Sequence, residues 1–208
     1  MEVNLLTTPE HFAEMEHNAA YAMLTCHANT GKINSANTAI FLQQAISSGH
    51  ESVLEHITIT YEINNISRAC LQELARHRHI SLSVESTRHT LKRILDENIE
   101  DGGAVDEAFL EQFDTNQQEF IHEIFSLYET VPTMSNDELK YFLPEFWPTN
   151  LVLTANIREL RHIVTLRTPP AALQEFQDLA RKFVEVVPDQ FKYLLEDCVF
   201  KKGDYNGL

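Results

Sequence analysis

The residues with the most chemistry to offer fall in one run, Arg76 to Thr90, "RHRHISLSVESTRHT". Arg76, Arg78 and Arg88 share it with His77, His79 and His89, and only Glu85 offsets them. The whole chain is strongly acidic, with 31 Asp and Glu against 16 Lys and Arg. Cations gathered this closely repel one another unless an anion sits among them. Guanidinium forks, with hydroxyls from Ser81, Ser83, Ser86 and Thr87 around Arg88, suit phosphate oxygens. The opposing reading is a solvated basic face paired with the segment from Ile94 to Leu139, which holds no Lys or Arg.

Two further stretches carry more polar groups than folding requires. "GHESVLEH", Gly49 to His56, places two histidines and two glutamates at a turn between a helix and a strand. Turn chemistry, with Ser52 as a cap, accounts for much of it. "NIRELRHIVTLR", Asn156 to Arg167, puts Leu160, Ile163 and Arg167 on one helical face. An arginine extending from an apolar stripe needs a buried partner, either a carboxylate or a bound anion. No metal site is expected, because the histidines lack a completing carboxylate or thiolate at ligand spacing. The six glycines build no phosphate-binding loop, and no activated nucleophile is evident. An enzyme of this composition would rely on a cofactor for the hard chemistry.

Those side chains need elements to position them. A hydrophobic content of 43% supports a real core. The spacing predicts a helix opened by Thr8 and Pro9, and a second through "SANTAIFLQQAISS" ending at Gly49. "ITITYEINNI" alternates with Ile57, Ile59, Tyr61 and Ile63 on one side, the period of a half-buried strand. "SRACLQELARHR" reads as a helix capped by Ser67, and Gly102-Gly103 as a loop. "DEAFLEQFDTNQQEFIHEIFSLYE" reads as one long helix with Phe109, Phe113, Phe120, Ile124 and Leu127 as its stripe. "SNDELKYFLPEFWP" is a short helix halted by Pro144, and "TNLVLTANI" a strand. "IRELRHIVTLR" is a helix ended by Pro169-Pro170. "PAALQEFQDLARKFVEVVP" is another, and a last helix covers Asp189 to Phe200. The expected fold is α+β: helices flanking a small, mostly antiparallel sheet, in a single domain over residues 1–208.

The net charge of −15 argues against general nucleic-acid binding. The N-terminal residues lack the layout of a signal peptide, and no apolar run is long enough to span a bilayer. Three separated cysteines suit a reducing compartment, so a cytoplasmic protein without membrane contact is expected.

Arg76-His77-Arg78, seven residues, then Ser86 resembles the signature of the flavin-dependent thymidylate synthases, the ThyX family. "GHESVLEH" resembles that family's flavin-contacting segment, and "NIRELRHIVTLR" its Asn-x-Arg-Ser-Leu … Leu-Arg segment, in the family's order. The resemblance implies a homotetramer with active sites where subunits meet. It implies FAD reduced by NADPH, 5,10-methylenetetrahydrofolate as carbon donor, and dUMP converted to dTMP. By position, His50, Ser52, Glu55, Arg76, His77, Arg78, Asn156, Arg158 and His162 would hold FAD. Arg76, Glu85, Ser86, Arg88, Lys140 and Arg167 would hold dUMP. Arg167 and Ser86 would be the catalytic residues, Arg167 by stabilising charge on the pyrimidine. Many relatives carry Asn-Glu at Ser83-Val84, Tyr at His89 and Arg at Lys140. Two alternatives stay open: a related flavoenzyme adding a hydroxymethyl group to a deoxypyrimidine monophosphate, and a non-catalytic nucleotide-binding module.

Overall fold

The computed structural model describes residues 1–34, 36–100 and 103–201. Ser35, at the start of the second predicted helix, and Gly102, in the predicted loop, lie outside the described residues. Strands β1 (Glu2–Leu5), β2 (Thr58–Ser67), β3 (Ile80–Val84) and β4 (Pro148–Asn156) form a small antiparallel sheet in the order β1-β2-β4-β3. β1 pairs with β2 so that Val3 faces Ile63 and Leu5 faces Tyr61. The helices are α1 (Pro9–Thr25), α2 (Thr38–Ser47), α3 (Arg68–Leu74), α4 (Thr87–Glu97), α5 (Glu107–Leu110), α6 (Thr115–Thr130), α7 (Asn136–Leu139), α8 (Ile157–Arg167) and α9 (Gln174–Glu185). The fold class is α+β, as the sequence predicts.

The chain divides into two compact units. The first contains Met1–Ile66, Cys70–Ser83 and the chain from Asn150 onward. Its core is set by strand alternation. Ile57, Ile59, Tyr61 and Ile63 are fully buried, as predicted. The alternation slips at Asn65, whose φ of 59° is tolerated by asparagine, so that Ile66 also turns inward. The buried Tyr61 hydroxyl donates to the Phe183 carbonyl at 3.0 Å, which removes the cost of enclosing it. On α9, Phe176, Leu179, Ala180 and Phe183 recur at helical spacing and all point into this core. Each of the large ones contributes roughly 1.5–3 kcal/mol by leaving water.

The second unit contains Ser67–Ala69 and Val84–Thr149. Its separate core joins Leu91 and Leu95 of α4 to Phe109, Phe113, Ile121, Ile124, Phe125, Leu139 and Trp147. The long helix expected here is instead two, α5 and α6. Asp114 divides them, because its carboxylate accepts the N–H groups of Asn116 and Gln117 while Gln117 reaches back to its backbone. That capping box starts a new helix and rotates the stripe, so Ile121, Ile124 and Phe125 are buried and Phe120 is 54% exposed. The last predicted helix is also corrected, to 3-10 turns at Asp189–Leu194 and Glu196–Cys198. Strands β1 and β3 were not anticipated.

Candidate active site

Helix α8 begins at Asn156, which is extended and whose Oδ1 accepts the Glu159 N–H at 2.8 Å. It ends at Thr168, before the two prolines. The helical period places Arg158, His162 and Thr165 on its exposed face, while Leu160, Ile163 and Val164 face the core. The exposed face borders a cavity of about 710 Å³. Asn156, Arg158 and His162 line it, with Glu51 and Glu55 of the 3-10 segment Glu51–His56, and with His79. Arg158 pairs with Glu55 at the surface, both about half exposed. With its Oδ1 engaged in the cap, Asn156 keeps its NH2 donors without a partner among the described residues.

Arg161, which the sequence reading passed over, is the most tightly held cation here. Its side chain is 8% exposed. Its Nε donates to Glu51 at 2.9 Å, and two further donors grip both oxygens of Asp197 at 2.6 and 2.7 Å. A fourth bond, at 2.8 Å, reaches the Leu194 carbonyl. Burial alone would make the guanidinium easier to deprotonate, but the Asp197 and Glu51 carboxylates outweigh it and raise its pKa further. Burial likewise pulls the Asp197 carboxyl up, and the Arg161 pair overrides this to hold it below its usual value. The only sequence signal was its placement in "RELR", beside the apolar Leu160.

Arg167 finds two partners, one buried, His77, and one 38% exposed, Glu73. Nη1 donates to Glu73 Oε2 at 2.9 Å, and Nε to His77 Nε2 at 3.1 Å. The guanidinium lies over the Phe176 ring, 4.8 Å from its centroid. His77 is 7% exposed, with Nδ1 at 3.5 Å from Glu159 Oε1. Burial, then the neighbouring Arg167, lowers the His77 pKa against the pull of Glu159. Glu73, Glu159 and Phe176 were not anticipated, since each is joined to its partner by the fold rather than by spacing.

The Arg76 and Arg78 side chains are exposed and make no hydrogen bond or ion pair with any of the described residues; the Arg76 backbone N–H donates to the Glu73 carbonyl at 3.4 Å. His50 and Ser52 are exposed, and Ser52 does not cap: the 3-10 segment follows His50 with no side-chain cap bond. In the second unit, Ser86 stands at the N-cap of α4, and its hydroxyl makes no cap bond. Arg88 holds Asp137 by two bonds of 2.6 and 3.0 Å, both side chains exposed. Arg88 chiefly, then Lys140 and His89, holds the Asp137 carboxyl below its usual range. Glu85 is half-buried just before Ser86. Arg76 and Arg78 therefore present guanidinium donors that no carboxylate among the described residues occupies, whereas Arg158, Arg161 and Arg88 are each paired. Neither the buried Cys70 nor the half-buried Cys198 offers a nucleophile near neutrality: desolvation above all pushes Cys70 up to about 12 and Cys198 up to about 11.

Residues 9–191 match the model of the Thy1 family, described as thymidylate synthase complementing protein. The chain belongs to this family. A Thy1-family relative from Campylobacter jejuni (strain RM1221), named flavin-dependent thymidylate synthase, is 40% identical over 157 residues, covering 73% of this chain and 76% of its own. One of the same name from Helicobacter pylori (strain ATCC 700392 / 26695) is 37% identical over 170 residues, covering 72% and 76%. The crystal structure of thymidylate synthase X from Helicobacter pylori, with FAD and dUMP, superposes with a TM-score of 0.82 at 32% identity, covering 97% of this chain and 100% of that one. A UMP/dUMP methylase from Streptomyces cacaoi shares the fold, with a TM-score of 0.68 at 17% identity.

Proposed function

We propose that this chain is a flavin-dependent thymidylate synthase, converting dUMP to dTMP with 5,10-methylenetetrahydrofolate as carbon donor. FAD, when bound, supplies hydride transfer, with NADPH as the source of the hydride. Asn156 through its free amide, Arg158, His162 and Glu55 at the cavity fit such a ligand, with Arg76, His77, Arg78, His50 and Ser52 as further contacts. Ser86 and Arg88 take the dUMP phosphate, Glu85 and Lys140 bind beside them, and Asp137 must yield Arg88 for this to happen. The relatives' names and the FAD- and dUMP-bound neighbour support this reading.

The observation that carries it is the guanidinium of Arg167, fixed on Nε, Nη1 and one face yet with Nη2 uncommitted among the described residues. A cation held this way, mostly out of water, stabilises negative charge on a pyrimidine without having to reorganise. The chain acts as one catalytic domain in a cytoplasmic homotetramer. Among the described residues no helix is long and apolar enough to cross a membrane.

The test is direct. The purified protein is expected to show flavin absorbance and, given dUMP, NADPH and methylenetetrahydrofolate, to yield a product heavier by one CH2 unit, a methyl group in place of hydrogen, in the mass spectrum. A hydroxymethyl mass gain would assign it to the related one-carbon enzymes. A colourless protein that oxidises no NADPH would make it a binding module.

A further inference from the structure

The contact between Arg167 and His77 constrains where protons sit. A guanidinium has donors and no acceptor, so the Nε–H of Arg167 at 3.1 Å requires a bare lone pair on His77 Nε2. An imidazolium, or the tautomer protonated on Nε2, would set two N–H groups against each other. His77 must therefore be neutral and carry its proton on Nδ1. That nitrogen faces Glu159 Oε1 at 3.5 Å, where both side chains are nearly enclosed, at 5% and 10% exposed. The contact is long for a hydrogen bond, but a carboxylate in so dry a place still acts strongly on an N–H dipole. The ring plane is held too, edge-on to Phe176 at 6.0 Å and to His162 at 5.9 Å.

We propose that Glu159 is a positioning residue: it fixes His77 as the Nδ1–H tautomer, whose Nε2 in turn aims Arg167. Glu159 and Arg167 sit on the same helix, α8, about two turns apart, too far to touch directly, and His77 from the segment after α3 bridges them. Glu73 and Phe176 complete the cradle, so one donor edge, Nη2, is left for the reacting ring. Histidine tautomers fixed from the far nitrogen recur wherever an imidazole must present one defined lone pair. The role in turnover rests on the thymidylate synthase reading above; the proton placement does not.

The experiment uses the flavin-loaded full chain as wild type, Glu159→Leu and Glu159→Gln, with activity expressed per bound flavin. Long-range proton–nitrogen NMR of the imidazole is expected to show His77 protonated on Nδ1 alone in the wild type. Glu159→Gln, whose amide oxygen can still accept from Nδ1, is expected to keep that signature and to stay within a few-fold of wild-type kcat/KM for dUMP. Glu159→Leu is expected to lose the tautomer preference and to drop kcat/KM for dUMP roughly tenfold to a hundredfold, the worth of a hydrogen bond to a charged group. Detection of Nε2–H or imidazolium in the wild type at neutral pH would overturn the proposal, even if the leucine variant does not fold. So would a leucine variant with unchanged kcat/KM. A wild type that keeps the Nδ1–H signature but makes no dTMP would refute the functional reading instead.

Discussion

Arg161 in the first unit and Arg88 in the second are each gripped by both oxygens of an aspartate, at 2.6 and 2.7 Å and at 2.6 and 3.0 Å. Their surroundings differ sharply: the Arg161 side chain is 8% exposed and that of Arg88 is 62%. Arg161 is also tied to Glu51 and to the Leu194 carbonyl, so moving it would strand several polar groups at once. Arg88 can release Asp137 to water at little cost, because exposed ion pairs contribute little net stability. The same fork is thus a fixed tie in one place and a pair that water can readily replace in the other. A carboxylate bound through both oxygens occupies a guanidinium much as phosphate would. Arg167, 19% exposed, lies between these extremes: anchored on two nitrogens and open on a third.

Variants can break or sharpen that contrast. Arg167→Ala is expected to lose about a hundredfold or more in kcat/KM, as for loss of a preorganised charge-stabilising donor, with little change in melting temperature. Early melting with full activity per folded molecule would instead class Arg167 with Arg161. Arg161→Ala is expected to cost about 2 kcal/mol in urea titration. That is less than the 3–5 kcal/mol, roughly, of a fully buried pair, because Asp197 and Glu51 stay 49% and 33% exposed. An unchanged midpoint would remove the distinction between the two forks.

His77 gives a smaller, pH-dependent effect. Its folded pKa is lowered from the usual 6.5, so below that pH the unfolded chain takes up a proton that the folded one resists. Its stabilising contribution is therefore complete above 6.5 and lost as pH falls. Charged or titrating groups facing it are Glu159, Arg167 and His162, with Glu73 reached through Arg167. His77→Asn should flatten the acid limb when denaturant midpoints at about pH 5.5 and about pH 7.5 are compared. Equal slopes in both proteins would place the acid sensitivity elsewhere. Smallest of all, Asp137→Ala should leave melting unmoved and tighten dUMP binding a few-fold by freeing Arg88. Calorimetry showing no gain would dismiss Arg88 as a phosphate receptor.

Much of the frame was legible because local periods agreed with tertiary need. Ile57 to Ile63 alternate in sequence and in burial, and Asn156 caps α8 where the period of the strand gives way to that of the helix. The need of Arg167 for a partner was legible; that its partners would be the buried His77 and the part-exposed Glu73, 90 and 94 positions away, was not. Nor was the Arg161–Asp197 tie, since long-range pairing depends on how the elements pack. β3 alternates Ile80, Leu82 and Val84 with serines, but those serines serve equally well as phosphate-facing hydroxyls, which hid the strand. Asp114 and Gln117 carried a readable capping signature inside an otherwise continuous apolar pattern.

Asn156, which lines the cavity, has its amide oxygen seating the first turn of α8 and its nitrogen without a partner among the described residues. A ligand that engages the nitrogen must also steady the oxygen, so cofactor loading should slow amide exchange at the Glu159 N–H and along the opening turn. Aspartate there would preserve the seat while replacing the donor by a repelling charge, separating helix integrity from ligand retention in a single atom exchange.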